Sequence, residues 1–164
     1  MNEKLVVMGV AGCGKSSLAK ALADRLAWPM IEGDEFHPQN NIDKMRRGEP
    51  LTDADREGWL ATLGQQLQKH PQAVLTCSAL RRTYREQLRH SSPGLRFVHL
   101  QLTPAQARQR VAQRTDHYFT PALVESQFRT LESTADERDV LSLDANLSPA
   151  AIVQAVTHWL FKER

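Results

Sequence analysis

The sequence predicts an α/β fold in three layers: a parallel sheet of five strands with helices on both faces. Two observations predict it. Five short apolar runs, each of strand length, alternate with helix-period segments, and a glycine-rich loop bearing a lysine joins the first run to the first helix. The 164 residues suit one domain spanning 1–164, and surface scaling lets a chain of this size bury roughly 70% of its surface. It needs no disulfide or structural metal to hold a core.

The apolar runs fall at residues 4–8, 28–31, 73–77, 96–102 and 140–143. The first, third and last are almost unbroken, which suits strands covered on both faces. Pro29 restricts the second to a strand start or an edge. After the first run, Leu18, Leu22 and Leu26 recur at i+4 and predict a helix. Leu60, Leu63 and Leu67 form a second apolar stripe; Thr52 is placed to cap that helix, with Asp55 three residues on. Further helices are predicted over 81–89, 104–114, 121–131 and 149–161. The last three carry proline near the first turn, where its missing N–H costs nothing. Residues 33–51 and roughly 114–120 are polar and lack a strand or strong helix signal. They read as a substrate-facing loop and a small mobile lid, the substrate segment extending over about 33–60 and the lid over about 108–120.

Charge and composition exclude several classes of function. The net charge is only +2, and residues 1–82 carry eleven Lys/Arg against ten Asp/Glu while the remainder carries ten against nine. A nucleic-acid binder concentrates its positive charge, so no nucleic-acid partner is expected. No apolar run reaches the roughly 18 residues that span a bilayer, so no membrane partner is expected either. Cys13 and Cys77 are far apart and form no metal-ligand or disulfide spacing. With no secretory leader legible at the start, the expectation is a cytoplasmic protein.

Gly9-Val10-Ala11-Gly12-Cys13-Gly14-Lys15-Ser16 matches G-x-x-x-x-G-K-[ST] at each required position. Its context matters more than the match, because it follows an apolar strand and opens an apolar-striped helix. Gly9, Gly12 and Gly14 allow backbone angles that a side chain would block. The successive N–H groups and the helix N-terminus then form a nest for the β-phosphate of ATP. Lys15 is placed to bridge β- and γ-phosphate, the Ser16 hydroxyl to ligate Mg²⁺, and Ser17 to add a contact at the α-phosphate. A GTPase is excluded: Asp55-Arg56-Glu57-Gly58 fits DxxG but lies inside a predicted helix, and NKxD is absent. The size suits a small phosphoryl-transfer kinase.

A wider set of residues now carries a resemblance. Gly33-Asp34-Glu35-Phe36-His37-Pro38, Asn41-Ile42-Asp43-Lys44-Met45, Gly48-Glu49-Pro50-Leu51, Asp53-Ala54-Asp55-Arg56 with Trp59-Leu60, and Cys77-Ser78-Ala79-Leu80-Arg81 with Tyr84-Arg85 resemble the gluconate kinase family, in order. So do Gln127-Phe128 with Leu131-Glu132, and Asp136-Glu137-Arg138-Asp139-Val140. The resemblance implies a P-loop kinase of the nucleoside-monophosphate-kinase type, a homodimer, transferring the ATP γ-phosphate to the 6-hydroxyl of D-gluconate. The alternatives are another small-molecule P-loop kinase, such as a shikimate or nucleoside-monophosphate kinase, and an idle nucleotide-binding module.

Candidate roles follow. Asp34 lies just past the second strand, where ligands of open α/β sheets collect, and can accept the proton of a substrate hydroxyl or orient it; its alternative role is a helix cap. Gluconate, a polyol with one carboxylate, calls for forked cations and several hydrogen-bonding groups. Within the resembling segments His37, Lys44, Arg56 and Arg81 are candidates, each with a surface ion pair as its alternative. Asn41 is a further candidate or a turn cap. Ser78 follows the third strand, where Thr76-Cys77-Ser78 offers no acid for Mg²⁺. The metal would then rest on Ser16, nucleotide oxygens and water, with Asp34 in an outer shell. Arg110 and Arg114, one helical turn apart, are candidate catalytic lid arginines that meet charge on the transferring phosphoryl group, or else form a solvated basic face.

Overall fold

The computed structural model describes residues 3–113 and 121–162. Strands β1 (Glu3–Met8), β2 (Met30–Glu32), β3 (Gln72–Thr76), β4 (Arg96–Gln101) and β5 (Val140–Asp144) make one sheet in the order β2-β3-β1-β4-β5. Every neighbouring pair is parallel. The connections run through α1 (Lys15–Leu26), a 3₁₀ turn (Gly33–Phe36), α2 (Gln39–Arg46), α3 (Asp53–Gln68), α4 (Arg82–Ser91), α5 (Pro104–Ala112), α6 (Pro121–Thr130) and α7 (Pro149–Phe161).

The alternation of strand side chains explains the unbroken apolar run of β1. Val6 and Met8 face a core built with Leu60, Leu63 and Leu67 of α3, Leu88 of α4, Val111 of α5 and Val124 of α6. Leu5 and Val7 face the opposite core, with Leu18 and Leu22 of α1 and Ile152, Val156 and Leu160 of α7. Both faces of this central strand are therefore covered, and its residues are buried throughout. β5 departs from that expectation. It is an edge strand, and its residues are half-buried or exposed. β2 starts two residues later than the apolar run, because Trp28 and Pro29 lead into the strand and Pro29 contributes only its carbonyl, which accepts from Val74 N at 2.9 Å.

The capping of α3 is as the sequence indicates. Asp55 N donates to Thr52 Oγ1 at 3.1 Å and Thr52 N to Asp55 Oδ2 at 2.9 Å, so two otherwise orphaned donors are satisfied. Gly64 in that helix is needed for packing, since a Cβ there would run into the Ser91 side chain of α4. The polar stretch 33–51 holds more structure than its sequence signals. A 3₁₀ turn leads into α2, which buries only Asn41 and Met45 and so shows almost no apolar periodicity.

A buried ionic cluster fixes the loop after β3. Arg85 of α4 is fully buried; its Nε and Nη2 donate to Glu137 at 2.9 and 2.7 Å, and its Nη1 to Ala79 O at 2.7 Å. Arg89 joins through Glu137 and Asp139, each at 2.7 Å. Pairing the charges offsets their desolvation. The cluster also holds Ala79 at φ +49°, a left-handed conformation costly for a residue with a Cβ. The 33–60 segment lies alongside this loop. Residues 114–120 of the expected lid, Arg114 included, lie outside the described residues. No helix among the described residues is long and apolar enough to cross a membrane.

Candidate active site

The loop between β1 and α1 is shaped by contacts that only its glycines permit. Gly9 has φ +143°, and a Cβ there would meet Leu100 O at 2.7 Å and Cys13 Sγ at 2.8 Å. Lys15 Nζ folds back over the loop and donates to Gly9 O at 3.0 Å and Val10 O at 3.1 Å. Val10 and Cys13 are buried beneath the loop, while Ala11, Gly12, Gly14, Lys15, Ser16 and Ser17 face a cavity of about 480 Å³. That cavity also brings in Asp34, His37, Arg56, Ser78 and Arg110. Among the described residues, its lining carries three cations, Lys15, Arg56 and Arg110, against the single acid Asp34, which suits anionic ligands.

Also lining the cavity, His37 is stacked flat against Trp59, ring centres 4.0 Å apart, with its side chain only 4% exposed. Trp59 is itself anchored by Nε1–H donating to Gly33 O at 2.8 Å. Burial, reinforced by Arg56 and opposed by Asp34, lowers the His37 pKa to about 4, so the ring is neutral at physiological pH. Its tautomer follows from Asn41. That residue's Nδ2 donates to Asp55 O at 3.0 Å, so the same NH₂ group faces His37 Nδ1 at 3.2 Å. The ring Nδ1 must accept, and Nε2 carries the proton. Nε2 stands 3.9 Å from the exposed Asp34 carboxylate. Arg56, buried on α3, is held by Nη1 donating to Leu51 O at 2.8 Å and Tyr84 Oη at 3.1 Å. The Tyr84 hydroxyl in turn donates to Asp53.

Two expected substrate contacts are placed elsewhere. Lys44 forms a 2.8 Å ion pair with Asp55, whose pKa that bond, with the Thr52 N–H, lowers to about 2. Arg81 faces Asp53 at 3.5 Å and is 42% exposed. Neither lines the cavity; each has taken the ion pair that a short acid-rich helix start offers. Arg110 lines the cavity while bonding Gly12 O at 3.2 Å, Ala145 O at 3.3 Å and Asn146 Oδ1 at 2.9 Å, which ties the phosphate loop to the β5–α7 turn. Both cysteines are buried and free, and burial pushes the Cys77 thiol up to about 12, leaving it inert.

Two residues escaped the sequence. Glu32, at the end of β2, accepts from Ser16 Oγ at 2.9 Å and from Thr76 Oγ1 at 2.7 Å through one oxygen, and Thr76 Oγ1 accepts from Gly33 N at 3.0 Å. Where no acid follows β3, β2 thus brings a carboxylate to the Ser16 hydroxyl. Its only signal was the spacing of Glu32 and Asp34, two apart at a strand end. Gln127 of α6 reaches the loop, its Oε1 accepting from Ala11 N at 2.6 Å; its segment carries the family resemblance, but nothing in it signals contact with the loop.

A profile of the family described as "AAA domain" matches residues 5–137. The chain is 43% identical over 154 residues to a gluconokinase of Gluconobacter oxydans (strain 621H), covering 92% of this chain and 86% of that one. It is 44% identical over 149 residues to a probable gluconokinase of Schizosaccharomyces pombe, covering 84% and 77%. A crystal structure of a gluconokinase from Sinorhizobium meliloti 1021 superposes with a TM-score of 0.90 at 41% identity, covering 99% of this chain and 93% of that one. With the phosphate loop intact, and with agreement in sequence and fold along nearly the whole chain, this protein belongs to the gluconokinase family of P-loop kinases.

Proposed function

We propose that this chain transfers the γ-phosphoryl group of ATP to the 6-hydroxyl of D-gluconate, giving 6-phosphogluconate and ADP. The observation that carries it is one cavity lined both by the phosphate loop with Lys15 and Ser16 and by Asp34, His37 and Arg56, in a chain whose relatives are gluconokinases.

The chemistry is positioning and electrostatics. Loop N–H groups and Lys15 grip the nucleotide phosphates. The groups at hand suit Mg²⁺, which favours few protein ligands plus phosphate oxygens and water: the Ser16 hydroxyl is already polarised by the Glu32 carboxylate, and no cluster of three metal-binding side chains lies among the described residues. Held by the Ser16 hydroxyl, such an ion would supply positive charge to the nucleotide phosphates. Asp34 accepts a hydrogen bond from the attacking hydroxyl and takes its proton. The Nε2–H of His37 donates to a neighbouring gluconate hydroxyl and holds the chain of carbons in register. Arg56 faces the substrate carboxylate with the edge of its guanidinium that Leu51 and Tyr84 leave open. Arg110 and Arg114 meet the developing charge, and Ser78 adds a hydroxyl beside the acceptor. The resemblance also implies a homodimer, which sedimentation in solution decides. An ADP-release assay with gluconate, other sugar acids, shikimate and nucleoside monophosphates tests the activity: gluconate is preferred, and preference for shikimate or a monophosphate overturns it.

A further inference from the structure

Gln127 makes one bond to the phosphate loop and has capacity for more. Its Oε1 takes the Ala11 N–H at 2.6 Å, and its side chain lines the cavity shared by Lys15, Ser16 and Asp34. A backbone N–H can only donate, so the carboxamide oxygen must face it, and the orientation of the NH₂ end follows from that. Among the described residues this NH₂ has no hydrogen-bond partner.

We propose that Gln127 Nε2 donates to the oxygens of the transferring γ-phosphoryl group, sensing the third phosphate beside Lys15 while the loop N–H groups hold the inner ones. The proposal rests on the phosphoryl-transfer activity above for what occupies the loop. The residue type fits the task. A carboxamide can accept from the loop and donate to a phosphate at once, which other long polar side chains cannot: Arg and Lys cannot accept, and an ionised Glu cannot donate. Its helix α6 belongs neither to the loop nor to the acceptor end, and it begins where residues 114–120 finish.

Gln127→Glu keeps the acceptor for Ala11 N–H, removes the donor and adds a repelling charge. Calorimetric binding of ADP and of a non-hydrolysable ATP analogue, with no acceptor present, separates the two roles. The expected result is ADP affinity within about twofold of wild type, analogue affinity reduced about tenfold or more, and kcat reduced about tenfold or more with the gluconate KM little changed. Gln127→Met, which fills similar space with neither donor nor acceptor, also loses the preference for analogue over ADP. Equal weakening of both nucleotides in both variants, or unchanged analogue binding and kcat, overturns the proposal by leaving Gln127 as a loop support alone. If wild type binds both nucleotides but does not phosphorylate gluconate, the proposed activity fails, and the ADP-against-analogue contrast still decides the role of Gln127.

Discussion

Asn41 Nδ2 stands 3.2 Å from His37 Nδ1 and is committed by the same NH₂ to the Asp55 carbonyl, so a fully buried asparagine sets which ring nitrogen of His37 faces the cavity. Asn41→Asp removes that donor and places a carboxylate against the ring, which raises the histidine pKa and favours a proton on Nδ1. The catalytic efficiency toward gluconate should fall about tenfold or more, with the acid limb of the pH–rate profile moved upward. Nitrogen NMR of the wild-type ring should report the Nε2–H tautomer; an Nδ1–H tautomer would remove the basis for the effect.

Glu32 bonds the Ser16 hydroxyl and is not among the residues lining the cavity. Glu32→Gln keeps an acceptor for both hydroxyls and removes only the charge, so the fold should be unaffected. The Mg²⁺ concentration giving half-maximal turnover should rise about threefold or more, with the KM for gluconate within about twofold of wild type. A titration of rate against Mg²⁺ that superposes on the wild-type curve would show that the carboxylate has no part in holding the metal.

Much of the scaffold was legible because burial leaves a periodic trace. β1 reads as an unbroken apolar run since both its faces are covered, and the Leu60, Leu63, Leu67 stripe reads as a helix since one side of α3 faces the sheet. α2 was not legible, because its inward residues are a polar Asn41 and a single Met45. The same limit applied to the site. The phosphate loop is contiguous in sequence, so its spacing identifies it. Glu32 and Gln127 reach it from other elements through single hydrogen bonds, which no local pattern encodes. Lys44 illustrates the converse: its charge suited a carboxylate ligand, and the sequence did not show that Asp55 on the adjoining helix pairs with it.

Stability should fall with acid over a defined window. His37 and His99 are buried, and burial lowers each pKa to about 4; for His99 the neighbouring Arg85 adds to the shift and Glu137 opposes it. Between about 6.5 and 4 the unfolded chain binds these protons and the folded chain does not, so stability is lost as pH falls through that range and levels off below it. The two shifts correspond to about 3 kcal/mol each at most. Urea midpoints at pH 7, 6 and 5 should decline, and His99→Gln should flatten the decline. A midpoint independent of pH, or an equally steep slope in the variant, would show that these rings are not held neutral.

The proposed transfer depends on the carboxylate of Asp34, which shares one cavity with the phosphate loop, and phosphorus NMR of ATP with gluconate tests it most directly. Wild-type protein should convert the γ-phosphate signal into a phosphomonoester on the terminal carbon of gluconate. Asp34→Asn should bind ATP as tightly and transfer about tenfold more slowly or worse. Absence of that ester with folded, nucleotide-bound wild type, or wild-type transfer rates in the variant, would contradict it.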